Sequence, residues 1–235
     1  MATKDLGVPE VLDRLEAFHG PQEPRWPVDP YEFLVWWHCG YPASDAACEH
    51  GWQALKKITG IEPESLLAAP QNKVTEALKA GGMVPEIRAV RLREVAQRVL
   101  SECSGDLRGA IAKDADAART LLKKFPGIAD PGVDRILLFA RAEAVAAVPS
   151  NCPHVLVRIR NGDDGHEYGA AYRQAQWLIE REVAGEFAAR MRAYLLLKTH
   201  GQTLCKRNKP KCGECPLQSK CAHATPEQDA AGEAT

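Results

Sequence analysis

Apolar residues recur along this chain at spacings of three and four, and alternating apolar–polar runs are nearly absent. This is the periodicity of amphipathic helices, not of half-buried strands, so the expected fold class is all-α. In "PEIRAVRLREVAQRVLSEC" the pattern puts Leu92, Val95 and Val99 on one stripe and Arg91, Arg93 and Arg98 outside it, which predicts a helix with a solvated arginine face. "DPYEFLVWWHC" opens with Asp29 as N-cap and Pro30 at the first helical position, where a missing N–H costs nothing. A short helix is expected over "DADAARTLLKKF". A second follows in "PGVDRILLFARAEAV", with Asp130 as its N-cap and Pro131 in its first turn. After a break at "VPSNCPH", Asn151 is placed as the cap of the next helix and Pro153 in its first turn. Then come "VLVRI", a polar loop "RNGDDGHEYG" and two helices over 170–200. Residues 223–235 are small and acidic with Pro and Gly, a composition that predicts a disordered tail.

Totals change this picture little. A chain of 235 residues holds one large domain or two small ones. Charged residues are 26% of it and cancel to −1, so any affinity for nucleic acid must come from a local patch. The start, "MATKDLGVPEVLDRLEAF", lacks a basic segment followed by an apolar run, and no stretch of 18 apolar residues occurs. A soluble, cytoplasmic monomer with no membrane partner is expected.

Eight cysteines without a leader read as thiols, and four have metal-ligand spacing. Cys205, Cys212, Cys215 and Cys221 form a Cys-x6-Cys-x2-Cys-x5-Cys pattern. Four soft thiolates this close can wrap one thiophilic centre, structural zinc or an iron–sulfur cluster. Cys39, Cys48 and Cys103 are most simply buried apolar residues. Around the four ligands, Lys198, Lys206, Arg207, Lys209, Lys211 and Lys220 face a single acid, Glu214, a basic patch suited to phosphate. "LLKKFPGIADPGVDRILLFA" reads as helix, tight hairpin, helix. There, backbone amides around Gly127, Ile128, Ala129 and Gly132 can meet a phosphate at a helix N-terminus without reading sequence.

The six-two-five cysteine spacing resembles the [4Fe–4S] loop of the endonuclease III and MutY DNA glycosylases. The hairpin resembles the helix-hairpin-helix of the same superfamily, whose typical Leu-Pro-Gly-Val-Gly is here Phe125, Pro126, Gly127, Ile128, Ala129. "PYEFLVWWHCGYPASDAACEHGWQAL" is similar to that family's first barrel helix and following loop, and "GGMVPEIRAVRL" to its Gly-hydrophobic-x-x-x-Lys/Arg-Ala segment. The resemblance runs from Pro30 to Cys221. It implies a six-helix barrel over 30–141, with the helix-hairpin-helix at 115–141. It further implies an iron–sulfur domain from 1–29 and 142–222, a [4Fe–4S] cluster on the four cysteines, and damaged double-stranded DNA, in the nucleoid, as partner.

Glycosylases of this kind extrude a nucleotide and cut its bond to the sugar. An aspartate steadies the oxocarbenium-like sugar, and bifunctional members add a lysine whose amine forms a Schiff base. Carried over without gaps, the lysine position falls on Pro131 and the aspartate position, 18 residues on, falls on Pro149. The residue that fills the space of the extruded base falls on Pro42, beside Tyr41, and these two are the wedge candidates. Proline can neither attack nor accept a proton at its side chain, so the Schiff-base lyase route is not expected. Replacement catalysts are sought among Asp130, Asn151, Cys152 and His154. Asp134 is read as structural, and Trp36 and Trp37 as core. Two functions remain: a monofunctional DNA glycosylase, or a protein that binds damaged DNA without cutting it.

Overall fold

A computed structural model describes residues 6–164 and 167–224. Among them are twelve α-helices, three short 3-10 turns and no strand, the all-α fold that the periodicity predicts. The chain divides into two compact units, one of Pro24–Glu143 and one from Met1–Glu23 with Ala144–Thr235. None of the described helices is long and apolar enough to cross a membrane.

The second helix of the chain, α2 (Pro30–Gly40), lies in the Pro24–Glu143 unit, and Asp29 caps it by accepting from the Tyr31 and Glu32 amides at 3.0 and 3.1 Å. It is apolar almost all round, and Phe33 to Gly40 are buried, as expected of a central helix. After it come α3 (Asp45–Ile58), α4 (Pro63–Ala68), α5 (Gln71–Leu78), a 3-10 turn (Lys79–Gly81), α6 (Pro85–Cys103), α7 (Leu107–Ile111), α8 (Ala115–Leu122) and α9 (Asp130–Phe139). Trp36 and Trp37 are core residues, and so are Leu92, Val95 and Val99 of the α6 stripe. The Arg135 guanidinium lies 3.8 Å from the Trp26 ring centre and 4.7 Å from that of Phe33. Asp134, next to it, binds Arg119 at 2.6 Å, and Arg119 reaches Glu143 at 2.9 Å, a structural role.

Two arginines of α6 depart from a solvated face. Arg93 donates to the Leu66, Leu67 and Ala69 carbonyls at 2.9–3.0 Å, satisfying the C-terminal acceptors of α4 that helix geometry leaves open. Arg88 is buried and donates to the Leu78, Gly82 and Met83 carbonyls at 2.9, 2.6 and 3.0 Å, and to that of Cys39. It thereby folds the 78–83 turn onto the end of α2. A Cβ on Gly81 would stand 1.7 Å from the Cys39 carbonyl oxygen, so only glycine lets the turn approach this closely.

The second unit contains α1 (Val8–His19), α10 (His154–Asn161), α11 (Tyr168–Glu182) and α12 (Phe187–Thr203), followed by the cysteine loop with 3-10 turns at Cys212–Glu214 and Gln218–Lys220. Its core gathers Leu12, Leu15, Val155, Leu156, Ile179, Leu196, Leu197 and Leu217. Glu182 ties three elements together, accepting from the Val8 amide at 2.7 Å and from Arg160 at 2.6 Å.

Two capping assignments are corrected. Ala129, not Asp130, is the N-cap of α9, and Asp130 is its first residue. Pro153, not Asn151, precedes α10, and no side chain caps that helix. In both places the chain enters the helix beside a proline, whose fixed φ suits a first turn without a side-chain cap. Of the expected disordered tail, His223 and Ala224 donate backbone hydrogen bonds to the Arg158 and Cys221 carbonyls. Residues 225–235 lie outside the described residues.

Replacing Arg88 by Lys keeps the charge but removes the fork. Arg88→Lys is expected to lose about 2–4 kcal/mol of stability, the cost of leaving several buried carbonyls short of donors. Denaturant unfolding of the two proteins side by side measures it.

Candidate nucleic-acid interface and cysteine loop

The hairpin joining α8 to α9 is anchored from below. Phe125 and Ile128 are buried, and the Ile128 amide donates to the Phe125 carbonyl at 3.3 Å. Gly127 takes φ +70°, the left-handed region where a side chain is strained. Ala129, which replaces the second glycine, has φ −113°, a conformation open to any residue, so the replacement brings no strain. Its carbonyl accepts from the Gly132 and Val133 amides at 2.8 and 3.0 Å. The amides of Gly127, Ala129 and Asp130 have no acceptor among the described residues, whereas those of Ile128 and Gly132 are engaged. Of the four positions chosen from sequence, Gly127 and Ala129 thus offer free donors, Ile128 and Gly132 do not, and Asp130 adds one.

Two side chains from elsewhere complete the hairpin. A Cβ on Gly127 would lie 3.7 Å from Arg91 Nη1 and 3.8 Å from His38 Cε1. Arg91 is exposed and brings a cation to the free amides. It is 36 residues away in sequence, and nothing in its own helix distinguishes it from its neighbours. His38 is buried, its ring bonded to the Pro126 backbone and its Nε2 without a partner. Burial, with Arg91 and Arg88 nearby, pushes it down to about 4. The Asp130 carboxylate is exposed and paired with Lys123 at 2.5 Å.

Exposed apolar side chains sit at the start of α6: Met83, 87% exposed, with Val84, Ile87 and Val90. Val84 holds φ +49°, a strained value for a β-branched residue. The sequence-based wedge candidates lie elsewhere. Tyr41 stacks on Trp37 with ring centres 3.6 Å apart, and Pro42 is exposed.

In the other unit, Cys205, Cys212, Cys215 and Cys221 line one pocket with Arg158, His200 and Leu217. Arg158, itself buried, grips Asp164 through two nitrogens and donates to the Lys206 and Arg207 carbonyls at 2.8 Å and to Cys205 Sγ at 3.7 Å. The Leu217 amide donates to Cys215 Sγ at 3.4 Å. Burial raises the Cys205 thiol to about 11, against the lowering pull of Arg158. The donor chemistry, soft sulfur served by hydrogen bonds, is of the type that suits a thiophilic group. Among the described residues no three His, Cys, Asp or Glu side chains are grouped so as to hold a metal ion.

The basic patch is smaller than the sequence suggests. Lys198 is buried in α12, Lys211 pairs with Glu214 at 3.1 Å and Lys220 with Glu10 of α1 at 3.1 Å. Lys206, Arg207 and Lys209 are exposed and have no ion-pair partner among the described residues.

Around the carried-over aspartate position no acid is present in residues 149–154. Pro149 and Pro153 are buried, and Cys152 belongs to the hydrophobic core, its thiol 3.9 Å from the Lys198 carbonyl. Asn151 is exposed. His154 Nε2 donates to the Cys205 carbonyl at 2.8 Å, so its proton serves the cysteine loop.

No family model matches the chain. Human adenine DNA glycosylase is 29% identical over 138 residues, 57% of this chain and 23% of that protein. The transcriptional activator DEMETER of Arabidopsis thaliana is 22% identical over 178 residues, 71% of this chain and 9% of that protein. The chain therefore spans less than a quarter of either relative. Among solved structures, a trapped covalent intermediate of endonuclease III with DNA matches at TM-score 0.74 and 16% identity, over 94% of this chain and 98% of that one. A thermostable thymine-DNA glycosylase matches at TM-score 0.71 and 19% identity, over 92% and 96%. The fold is that of endonuclease III.

The buried imidazole beneath the hairpin generates a pH prediction. Its folded value, about 4, lies below the ordinary 6.5, so the unfolded chain takes up this proton first as pH falls. The contribution of neutral His38 is fully present above pH 6.5 and is lost as pH drops toward 4. Relative to a His38→Leu variant, wild-type stability is expected to fall by about 3 kcal/mol between pH 7 and pH 4. Denaturant midpoints across that range decide it, and parallel curves would refute it.

Proposed function

We propose that this chain binds damaged double-stranded DNA in base-excision repair and recognises the lesion without Schiff-base strand cleavage. The observation that carries the reading is the hairpin: three unpaired amides at Gly127, Ala129 and Asp130, with the Arg91 guanidinium beside them. Free N–H groups at a helix start, next to a cation, form a seat for one backbone phosphate and carry no base information. Lys206, Arg207 and Lys209 act as a second, independent phosphate grip. Met83, exposed on a loop that Arg88 holds in place, is an apolar wedge suited to parting a base step.

The four cysteines are assigned to a [4Fe–4S] cluster, the reading their spacing favours over zinc. When bound, that group supplies a rigid thiolate anchor for the basic loop. Arg158 and His154 hold the loop from the protein side through its backbone carbonyls and the Cys205 sulfur.

For chemistry, Pro131 offers no amine, and residues 149–154 offer no carboxylate. Recognition without bond cleavage is therefore the reading that the residues support best. Monofunctional glycosylase activity is the second reading. It is supported by the likeness to an adenine DNA glycosylase and by two exposed polar groups, Asp130 and Asn151, that could hold water.

Single-turnover assays on duplexes with uracil, hypoxanthine, oxidised, alkylated and abasic sites, with binding recorded alongside, separate the two. Binding with no base release is expected. Release without strand scission would establish the glycosylase, and Asp130→Asn and Asn151→Ala would then identify its catalyst. Scission through a borohydride-trappable adduct would overturn both readings.

The grip has its own measurement. Arg91→Ala is expected to weaken binding to every duplex and to reduce the slope of log K against log salt by about 1. Neutralising Lys206, Arg207 and Lys209 together should reduce it by about 2–3. Unchanged slopes would remove both groups from the interface.

A further inference from the structure

His200 lies in α12 with its two ring nitrogens facing different partners. Nε2 is 3.7 Å from Cys215 Sγ, and Nδ1 is 3.2 Å from Nε2 of His19, the last residue of α1. His200 is buried and lines the cysteine pocket, while His19 is only half-buried, edge-on against Phe18 with ring centres 4.9 Å apart. The chemistry fixes the protons. A ligating thiolate sulfur accepts, so His200 must carry its proton on Nε2. Its Nδ1 is then a lone pair, and the His19 nitrogen facing it must be the donor. The order His19 Nε2–H to His200 Nδ1, then His200 Nε2–H to Cys215 Sγ, is the arrangement in which both contacts are hydrogen bonds with neutral rings.

We propose that His19 is a positioning residue for the thiolate-bound group: it locks His200 in the Nε2–H tautomer, and the resulting bond to Cys215 raises the group's electron affinity. A partner on the far nitrogen of a histidine fixes its tautomer and orientation at metal sites generally, and hydrogen bonds to ligand sulfur tune iron–sulfur potentials. Cys215 already receives backbone amides from Leu217 and Gln218, so His200 is the donor that side-chain substitution can remove. The inference rests on the cluster assignment made above.

The test uses the full chain and begins with iron and acid-labile sulfide content, which judges the cluster assignment by itself. In loaded protein, His200→Phe and His19→Phe are both expected to make the cluster easier to oxidise, by about tenfold in the oxidised-to-reduced ratio at fixed potential, or 59 mV for one electron. His19→Gln, whose side-chain amide can still donate to Nδ1, should restore the wild-type potential. In a His200→Gln background, where the amide donates to sulfur unaided, His19→Phe should have no further effect. If His200→Phe fails to fold, the His19 variants and the His200→Gln pair carry the test. A potential that moves with His200 but not with His19 overturns the relay, and one that moves with neither overturns the bond to Cys215. If the protein holds zinc without sulfide, the cluster assignment falls. The relay is then judged by 15N NMR: the His200 Nε2–H tautomer in wild type and its loss in His19→Phe support it, and an Nδ1–H tautomer refutes it.

Discussion

A guanidinium taken out of water must find acceptors for its five N–H groups, and in each unit of this protein that demand shapes a loop. Arg88 is buried at the start of α6 and collects carbonyls from Leu78, Gly82, Met83 and Cys39. The turn has to come to the arginine, because a buried fork with open N–H groups would cost several kcal/mol. Arg158 is buried under the cysteine loop and does the same with Lys206 and Arg207, while Asp164 balances its charge. One loop then presents Met83 to solvent and the other presents three cations. Both surfaces are consequences of satisfying a charge beneath them.

The candidate interface consists of groups left unsatisfied. Most backbone amides of a folded chain are paired, and the hairpin leaves Gly127, Ala129 and Asp130 open at the start of α9. Rigidity makes that tolerable: Phe125 and Ile128 are anchored in the core, and His38 holds Pro126 from below. An amide at the surface loses little by waiting for water or phosphate, provided that the backbone carrying it cannot collapse onto another acceptor. The Asp130 carboxylate works against an anion there, and its pairing with Lys123 limits that opposition.

Around residues 149–154 the packing is closed. Cys152 points into the core against α12, where a Cβ on Gly201 would come within 2.5 Å of its sulfur. His154 spends its proton on a loop carbonyl. Groups so committed hold the cysteine loop and the core beside α12. The same fold thus carries a hairpin with open amides and a cysteine pocket on residues other than 149–154, which include no carboxylate.

The sequence by itself determined the helical class, several of the helices and the hairpin. Helix periodicity and the Asp29–Pro30 start are local signals, and Pro126–Gly127 is a turn that few other residues can make. It also placed the four cysteines within one short loop. Caps beside proline were misread at Asp130 and Asn151, because a residue that suits a cap also suits the first turn, and backbone geometry chooses between them. The size of the basic patch was overread, because Lys198, Lys211 and Lys220 are quenched by burial or by acids that only folding brings near. Only the tertiary structure decided that Arg91 and His38 serve the hairpin, that Arg93 closes α4 and that His19 stands behind His200. Those pairs are separated by 24 to 181 residues, and no rule of spacing connects side chains whose meeting depends on how whole helices pack.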